Sequence, residues 1–207
     1  MKTSLIPLLL AGLLAAPGLR AEEVPPPPAP APEKGVARGL ILLHGERLIF
    51  SPCRDRSYLA VEDVSPGGEV VATLKQLGLQ DGKPLYVELV GESTQGQLQA
   101  NALNFAHTDA RCHAPRQTTG RWRAAGKSWQ LTTAGDKLRL TQGGGADQET
   151  GYTEEQADPA TARLRAGDSA WEFRKRPCLQ AEDGFATGWA AEGQAAGRPL
   201  RGCAWRP

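Results

Sequence analysis

The apolar residues between Gly39 and Ala106 fall into short runs separated by glycine, proline and charge. Gly39–His44 (GLILLH) and Arg47–Phe50 (RLIF) flank Gly45 and Glu46, which predicts a hairpin. Tyr58–Glu62 (YLAVE) predicts a third strand. Past the breaker Pro66-Gly67-Gly68, residues Val70, Val71, Leu74, Leu77 and Leu79 recur at near-helical spacing, so a short amphipathic helix is expected, ended by Gly78 or Gly82. Pro84–Val90 and Gln97–Ala106 supply two further strands, with Leu98, Ala100, Ala102 and Leu103 partly inward. Three strands, a helix and two strands match a small five-stranded barrel of the OB type.

The second half reads differently. Gly120–Gly126 leads into Ser128–Thr133, and Ala134-Gly135-Asp136 makes a turn. Lys137–Thr141 then alternates with period two, the mark of a strand with one wet face. Gly143-Gly144-Gly145 breaks the pattern. Thr161–Arg165 and Ala170–Arg174 pair across Ala166-Gly167-Asp168, and Phe185–Ala191 and Arg198–Trp205 follow. Short, alternating, turn-punctuated segments predict an antiparallel sheet or small barrel. The fold class is therefore mainly β, in two small antiparallel modules: an OB-like one at 36–113 and a second one at 119–207.

Two segments precede them. Lys2, the apolar run Leu5–Ala16, the break at Pro17-Gly18 and the small residue Ala21 give the pattern of a secretory signal over residues 1–21. The run stops short of the roughly 20 apolar residues a membrane span needs, and no cysteine stands at the cleavage point to be lipidated. Residues 22–35, with PPPPAPAP at Pro25–Pro32, predict an extended polyproline spacer. A soluble periplasmic protein is expected. The chain carries 24 basic and 23 acidic residues; removing 1–21 takes away Lys2 and Arg20 and no acid, so the formal charge moves from +1 to −1. The signs are interspersed, which argues against nucleic acid as a partner.

Four cysteines in an exported chain imply two disulfides, with three possible connectivities. They fall two to each half, so Cys53–Cys112 and Cys178–Cys203 are expected. Each would contribute roughly 3–4 kcal/mol through loop closure, which matters for modules whose apolar cores alone are marginal.

The strings Arg38–Asp63 (RGLILLHGERLIFSPCRDRSYLAVED) and Lys83–Cys112 (KPLYVELVGESTQGQLQANALNFAHTDARC) resemble the C-terminal OB-like module of the envelope-stress lipoprotein NlpE, through the Phe50-x-x-Cys53 step, the Pro84 strand ending at Gly91 and the closing Cys112. Trp122–Trp129 (WRAAGKSW), Pro177-Cys178 and Leu200–Ala204 (LRGCA) resemble an uncharacterised family of proteobacterial periplasmic proteins and lipoproteins, and that resemblance extends over nearly the whole mature chain. The NlpE resemblance implies an exported, stress-related role, and the family resemblance transfers no biochemical activity. Two stretches depart from the family's pattern. Only Lys127-Ser128 stands where the family has an Asn-Glu-Pro segment, and Leu179–Gly184 (LQAEDG) replaces an Asp-Ser-Met-Ser-Gly stretch. If those segments carry the family's function, this chain carries it altered or not at all.

Candidate chemistry is sparse. His44, His107 and His113 all lie in the first module, but their spacing is poor for a metal site, and a bonded Cys112 offers no thiolate. No methionine remains after Met1, which removes the thioether ligands of copper carriers. Neither metal nor cofactor is expected. Gly91–Gly96 (GESTQG) misses the G-x-S-x-G pattern at Gln95 and reads as a hairpin turn. The adjacent acids Glu62-Asp63, Glu154-Glu155 and Glu182-Asp183 would point to opposite faces of a strand, so no enzyme is expected.

The tryptophans are the remaining feature. Trp122, Trp129, Trp171, Trp189 and Trp205 all sit in the second module, either as its core or as a stacking surface. Arg121 and Arg123, with Arg174, Lys175, Arg176, Arg198, Arg201 and Arg206, would then form a cationic rim. A binding or stress-related accessory module that contacts another envelope protein is the expected function. An inhibitor of a cell-wall hydrolase such as lysozyme, or a glycan-binding module, is the alternative.

Overall fold

The computed structural model describes residues 34–112 and 120–207. The expected signal peptide, nearly all of the proline-rich linker and His113 lie outside the described residues. The first half contains β1 (Lys34–His44), β2 (Arg47–Pro52), β3 (Leu59–Asp63), α1 (Glu69–Leu77), β4 (Leu85–Thr94) and β5 (Gln97–His107). Strands pair in the order β3-β2-β1-β4-β5, and a parallel pairing of β3 with β5 (Ala60↔Gln97 to Asp63↔Ala100) closes the five-stranded barrel. This is the OB-like architecture that the strand–strand–strand–helix–strand–strand order predicts.

Local chemistry sets these elements. Gly45 (φ 61°) turns the β1–β2 hairpin, and Gln95 and Gly96, both at positive φ, turn β4 into β5. At the start of α1, the Val71 amide donates to Asp63 Oδ2 at 2.8 Å and the Val70 amide to Ser65 Oγ at 3.1 Å, so two orphan donors are satisfied. Gly78, at φ 116°, ends the helix. Val70, Leu74 and Leu77 project from α1 into a core with Ile41, Phe50, Leu85, Val87, Leu89 and Leu98. The long strand β1 passes close over Phe50 at Gly39, where a Cβ would sit 2.3 Å from the Ser51 carbonyl oxygen, so only glycine fits.

The second half is entirely β: β6 (Arg123–Gly126), β7 (Trp129–Ala134), β8 (Lys137–Gln142), β9 (Gln148–Gly151), β10 (Thr153–Asp158), β11 (Thr161–Ala166), β12 (Ser169–Gln180), β13 (Phe185–Ala195) and β14 (Arg198–Trp205). Pairings run β6–β7–β8–β9 and β10–β11–β12–β13–β14, and β14 pairs back onto β6 through Cys203↔Ala125. Only Tyr152 separates β9 from β10, which do not pair with each other, so the strands form an antiparallel sheet curled into a small open barrel around one core. Alternate residues point inward, as the period-two pattern predicts: Trp129, Leu131 and Thr133 on β7, Leu138 and Leu140 on β8, Ala162 and Leu164 on β11, Trp171 and Phe173 on β12. Thr133 is buried but satisfied, since its Oγ1 accepts from the Arg121 and Trp122 amides.

The halves keep separate cores but share a sheet. The far end of β13 pairs with β5 (Phe185↔His107, Ala186↔Ala106, Thr187↔Phe105), and Ala186 belongs to the first core. The ring of Phe105 lies 5.0 Å from that of Trp205 and 6.0 Å from that of Phe185. Asn104, 4% exposed, donates to Arg206 O and Glu88 Oε2 and accepts from the Arg206 amide, fastening the C-terminus to β5. No helix among the described residues is long and apolar enough to cross a membrane.

Candidate binding cleft

The expected disulfides form. Cys53–Cys112 closes across 59 residues and Cys178–Cys203 across 25. The second one shapes a site. Cys178 on β12 pairs in register near Thr187 of β13, and Cys203 on β14 opposite Ala190. In a flat sheet, strands on either side of β13 would stand roughly 10 Å apart. The two Cα atoms are 5.4 Å apart, so the outer part of the β12–β13 hairpin is folded toward β14. Two features permit the fold. The β12–β13 register shifts between Lys175 and Cys178, and Gly188 approaches so closely that a Cβ would meet the Leu103 carbonyl oxygen at 1.8 Å.

The folded-back tip overlooks two turns of the second barrel. Gly126–Trp129 joins β6 to β7, with Ser128 held at φ 66°, a conformation uncommon for a non-glycine residue. The turn after β8 carries Gly143 and Gly144. The two turns are stitched together, since the Gly143 amide donates to Ser128 O at 2.8 Å. On the hairpin, the Gly184 amide donates to Ala181 O and Gly184 O accepts from the Thr108 amide, which anchors the tip to the first barrel. Between these elements lies a cleft of about 1270 Å³ that includes Lys127, Ser128, Gln130, Thr141, Gln180, Glu182 and Asp183 in its lining. A smaller hollow of about 370 Å³, reaching Arg176, Glu192 and Arg201, shares Leu179 and Gln180 with it. Thus Lys127-Ser128 and Leu179–Asp183, more than fifty residues apart in the chain, face one space. Nearby, Gln142 Nε2, between the lining residues Thr141 and Gly143, is buried with no protein partner, as is Trp171 Nε1 in the barrel core. Each such orphan donor costs about 1–3 kcal/mol unless a water or ligand satisfies it.

The structure distributes the expected surface residues more widely. Trp122, Trp129 and Trp171 are buried at 0%, 4% and 2% exposure, so they belong to the core and offer no exposed stacking face. Trp122 packs 4.6 Å from Phe173 and 5.0 Å from Trp189, and Trp129 packs 4.9 Å from Trp171. Trp189 and Trp205 are half-buried. The rim cations are largely engaged: Arg121 with Glu154, Arg174 with Glu172, Arg176 with Glu192. The Arg206 guanidinium lies 4.5 Å above Trp122. Arg123 is half-buried on β6, and Arg198 and Arg201 are exposed. Arg163 and Arg174 hydrogen-bond the Glu172 carboxylate and hold it below its ordinary pKa. Of the histidines, His44 is exposed and His107 Nδ1 accepts from the Asp109 amide. Among the described residues no three His, Cys, Asp or Glu side chains come together in a metal-binding group. Burial and Glu88 raise the Tyr86 hydroxyl, which donates to Glu88 Oε1 at 3.0 Å, to about 12.

No family model, curated protein or solved structure matches the chain. What the cleft does must come from its own geometry.

Proposed function

We propose that this chain is an exported, non-enzymatic binding protein of the cell envelope, a stress-related accessory module that engages another envelope protein through the cleft between the folded-back β12–β13 hairpin and the two stitched turns. The observation that carries this reading is the convergence of Lys127-Ser128 and Leu179–Asp183 on one cleft. Two disulfides suit an oxidising compartment, and the signal pattern at 1–21 favours export to the periplasm. The titratable side chains lining the cleft, Lys127, Glu182 and Asp183, are all exposed. General acid–base work needs carboxyls in a desolvated setting, so the lining supports binding over turnover. The resemblance to the NlpE module supports the same class of role.

One feature favours a second reading. Glu182 and Asp183 sit exposed at the tip of a braced hairpin, and such a tip suits insertion into the groove of a cationic cell-wall hydrolase.

Photo-cross-linkers placed at Ser128 and Glu182 in the periplasm test the first reading, with Lys137 as the control position. The expected result is one envelope protein captured from both cleft positions and not from the control, whose purified form loses at least about tenfold in affinity to a Ser128→Trp variant. Equal capture from Lys137, or undiminished binding by that variant, would overturn it. Protection of cell walls against added lysozyme at micromolar protein would instead establish the inhibitor.

A further inference from the structure

Size, aromatic burial and charge together identify what the cleft takes. We infer that its occupant is an extended polypeptide segment, laid along the β12–β13 hairpin with basic side chains at the Glu182–Asp183 end and acidic ones toward Arg201. This rests on the proposed binding role and names the ligand class.

The cleft of about 1270 Å³ exceeds the roughly 300–1,000 Å³ of small-molecule sites, and the adjoining hollow of about 370 Å³ extends it. They are open along one side and suit a chain that passes through. A glycan would want exposed ring faces to stack on, yet the two aromatic residues of the cleft, Trp129 and Phe185, are only 4% and 8% exposed. The lining instead offers what a peptide backbone reads: the side-chain amides of Gln130 and Gln180, the Ser128 hydroxyl, and exposed main chain at Gly144.

A strand edge adds to this. β11 pairs with β12 only as far as Arg174. From Arg176 to Gln180 the edge of β12 away from β13 therefore has no strand partner among the described residues, and the same five residues line the smaller hollow. An unpaired edge gives an incoming segment main-chain hydrogen bonds, as in strand-addition recognition, although Pro177 removes one donor from it. The poles are also charged. Glu182 and Asp183 form no ion pair among the described residues, and neither does Arg201, while Arg176 is held by Glu192 at 3.3 Å. Among the described residues the groove thus presents two carboxylates without an ion pair at one end and a guanidinium without one at the other, with Lys127 exposed in the lining of the larger cleft.

The test uses the mature, oxidised protein and four probes. Two are synthetic peptides of about nine residues with opposite charge order, one acidic-to-basic and one basic-to-acidic. The third is an uncharged peptide of the same length, and the fourth is chitotetraose. Amide NMR shifts locate binding and titration gives the affinity. The expected result is that one charged peptide shifts residues 126–130, 141–144 and 176–185 and binds at least about tenfold better than the uncharged one. Glu182→Lys with Asp183→Lys, both exposed and harmless to folding, should abolish that preference or transfer it to the other peptide. Equal binding of the uncharged peptide, shifts outside these segments, no response to any peptide, or a response to chitotetraose alone would overturn the inference. Envelope-protein capture from Ser128 together with indifference to Glu182→Lys and Asp183→Lys would sink this inference while leaving the binding role standing.

Discussion

The two barrels solve the same packing problem with different materials. The first fills its interior mostly with aliphatic side chains and adds α1, whose Val70, Leu74 and Leu77 share one core with Ile41 and Phe50. The second has no helix and fills its interior with three tryptophans and Phe173. Their disulfides differ in the same way. Cys53–Cys112 ties the loop after β2 to the chain beyond β5 at the periphery, with Cys112 exposed, and Cys178–Cys203 pulls β12 toward β14 with Cys203 fully buried. One bridge holds a barrel that its strand order already closes; the other bends a sheet and so creates a cleft. The second crosslink sets a shape that strand pairing alone would not give.

The largest effect should come from emptying the aromatic core. Trp122→Ala removes a fully buried indole that packs on Phe173 and donates to Glu154, and should cost about 3–5 kcal/mol in chemical denaturation. Leu74→Ala in the first barrel should cost about 2–5 kcal/mol by the same mechanism. Because the barrels share the β5–β13 pairing, each variant should shift a single transition. All five tryptophans lie in the second half, so fluorescence reports mainly that half, with Trp205 against Phe105 at the junction. Its midpoint should coincide with the circular-dichroism midpoint for both variants, and divergence would show that the barrels unfold separately.

The disulfides come next. Loop closure across 59 residues is worth about 4 kcal/mol and across 25 about 3.5 kcal/mol, so the paired serine variants should lose similar stability in thermal melts. The comparison sharpens in hydrogen exchange, where only Cys178→Ser with Cys203→Ser should unprotect residues 178–187. Smaller again, Asn104→Ala strands the Arg206 amide and carbonyl at the junction and should cost about 1–3 kcal/mol, with added exchange at the C-terminus.

The smallest effect depends on pH. The folded pKa of Tyr86, about 12, lies above the ordinary value of 10. The folded state therefore prefers the neutral phenol, and this contribution is complete below pH 10 and is lost as pH rises from 10 toward 12. Tyr86→Phe should flatten the alkaline decline in stability relative to wild type across that window, and an unchanged decline would contradict the assignment.

How much of this was legible depends on which residues carry a period. The hairpins and the helix of the first barrel were readable from GLILLH, RLIF and the Val70–Leu79 spacing. In the second half, strands with inward Leu, Trp or Ala were readable too. β9 and β10 were not, because Gln148–Asp158 (QETGYTEEQAD) carries almost no apolar residue and lies almost entirely exposed; only its pairing with β8 and β11 makes it strand. β12 runs past Arg174 to Gln180 through Lys175-Arg176-Pro177, a charged, proline-bearing stretch that reads as a strand end. Of the tryptophans, Trp122, Trp129 and Trp171 are core, whereas Trp189 and Trp205 are half-buried. The cleft was illegible because the fold of the hairpin over the Cys178–Cys203 bridge is what brings its walls together.

The most direct test of the account is the distance between spin labels carried on non-natural residues at positions 128 and 182, measured in the oxidised protein and in the Cys178→Ser, Cys203→Ser variant. The clasped cleft predicts a short, narrow distribution with the bridge intact, and a longer, broader one without it. The same distribution in both proteins would contradict the claim that this disulfide builds the site.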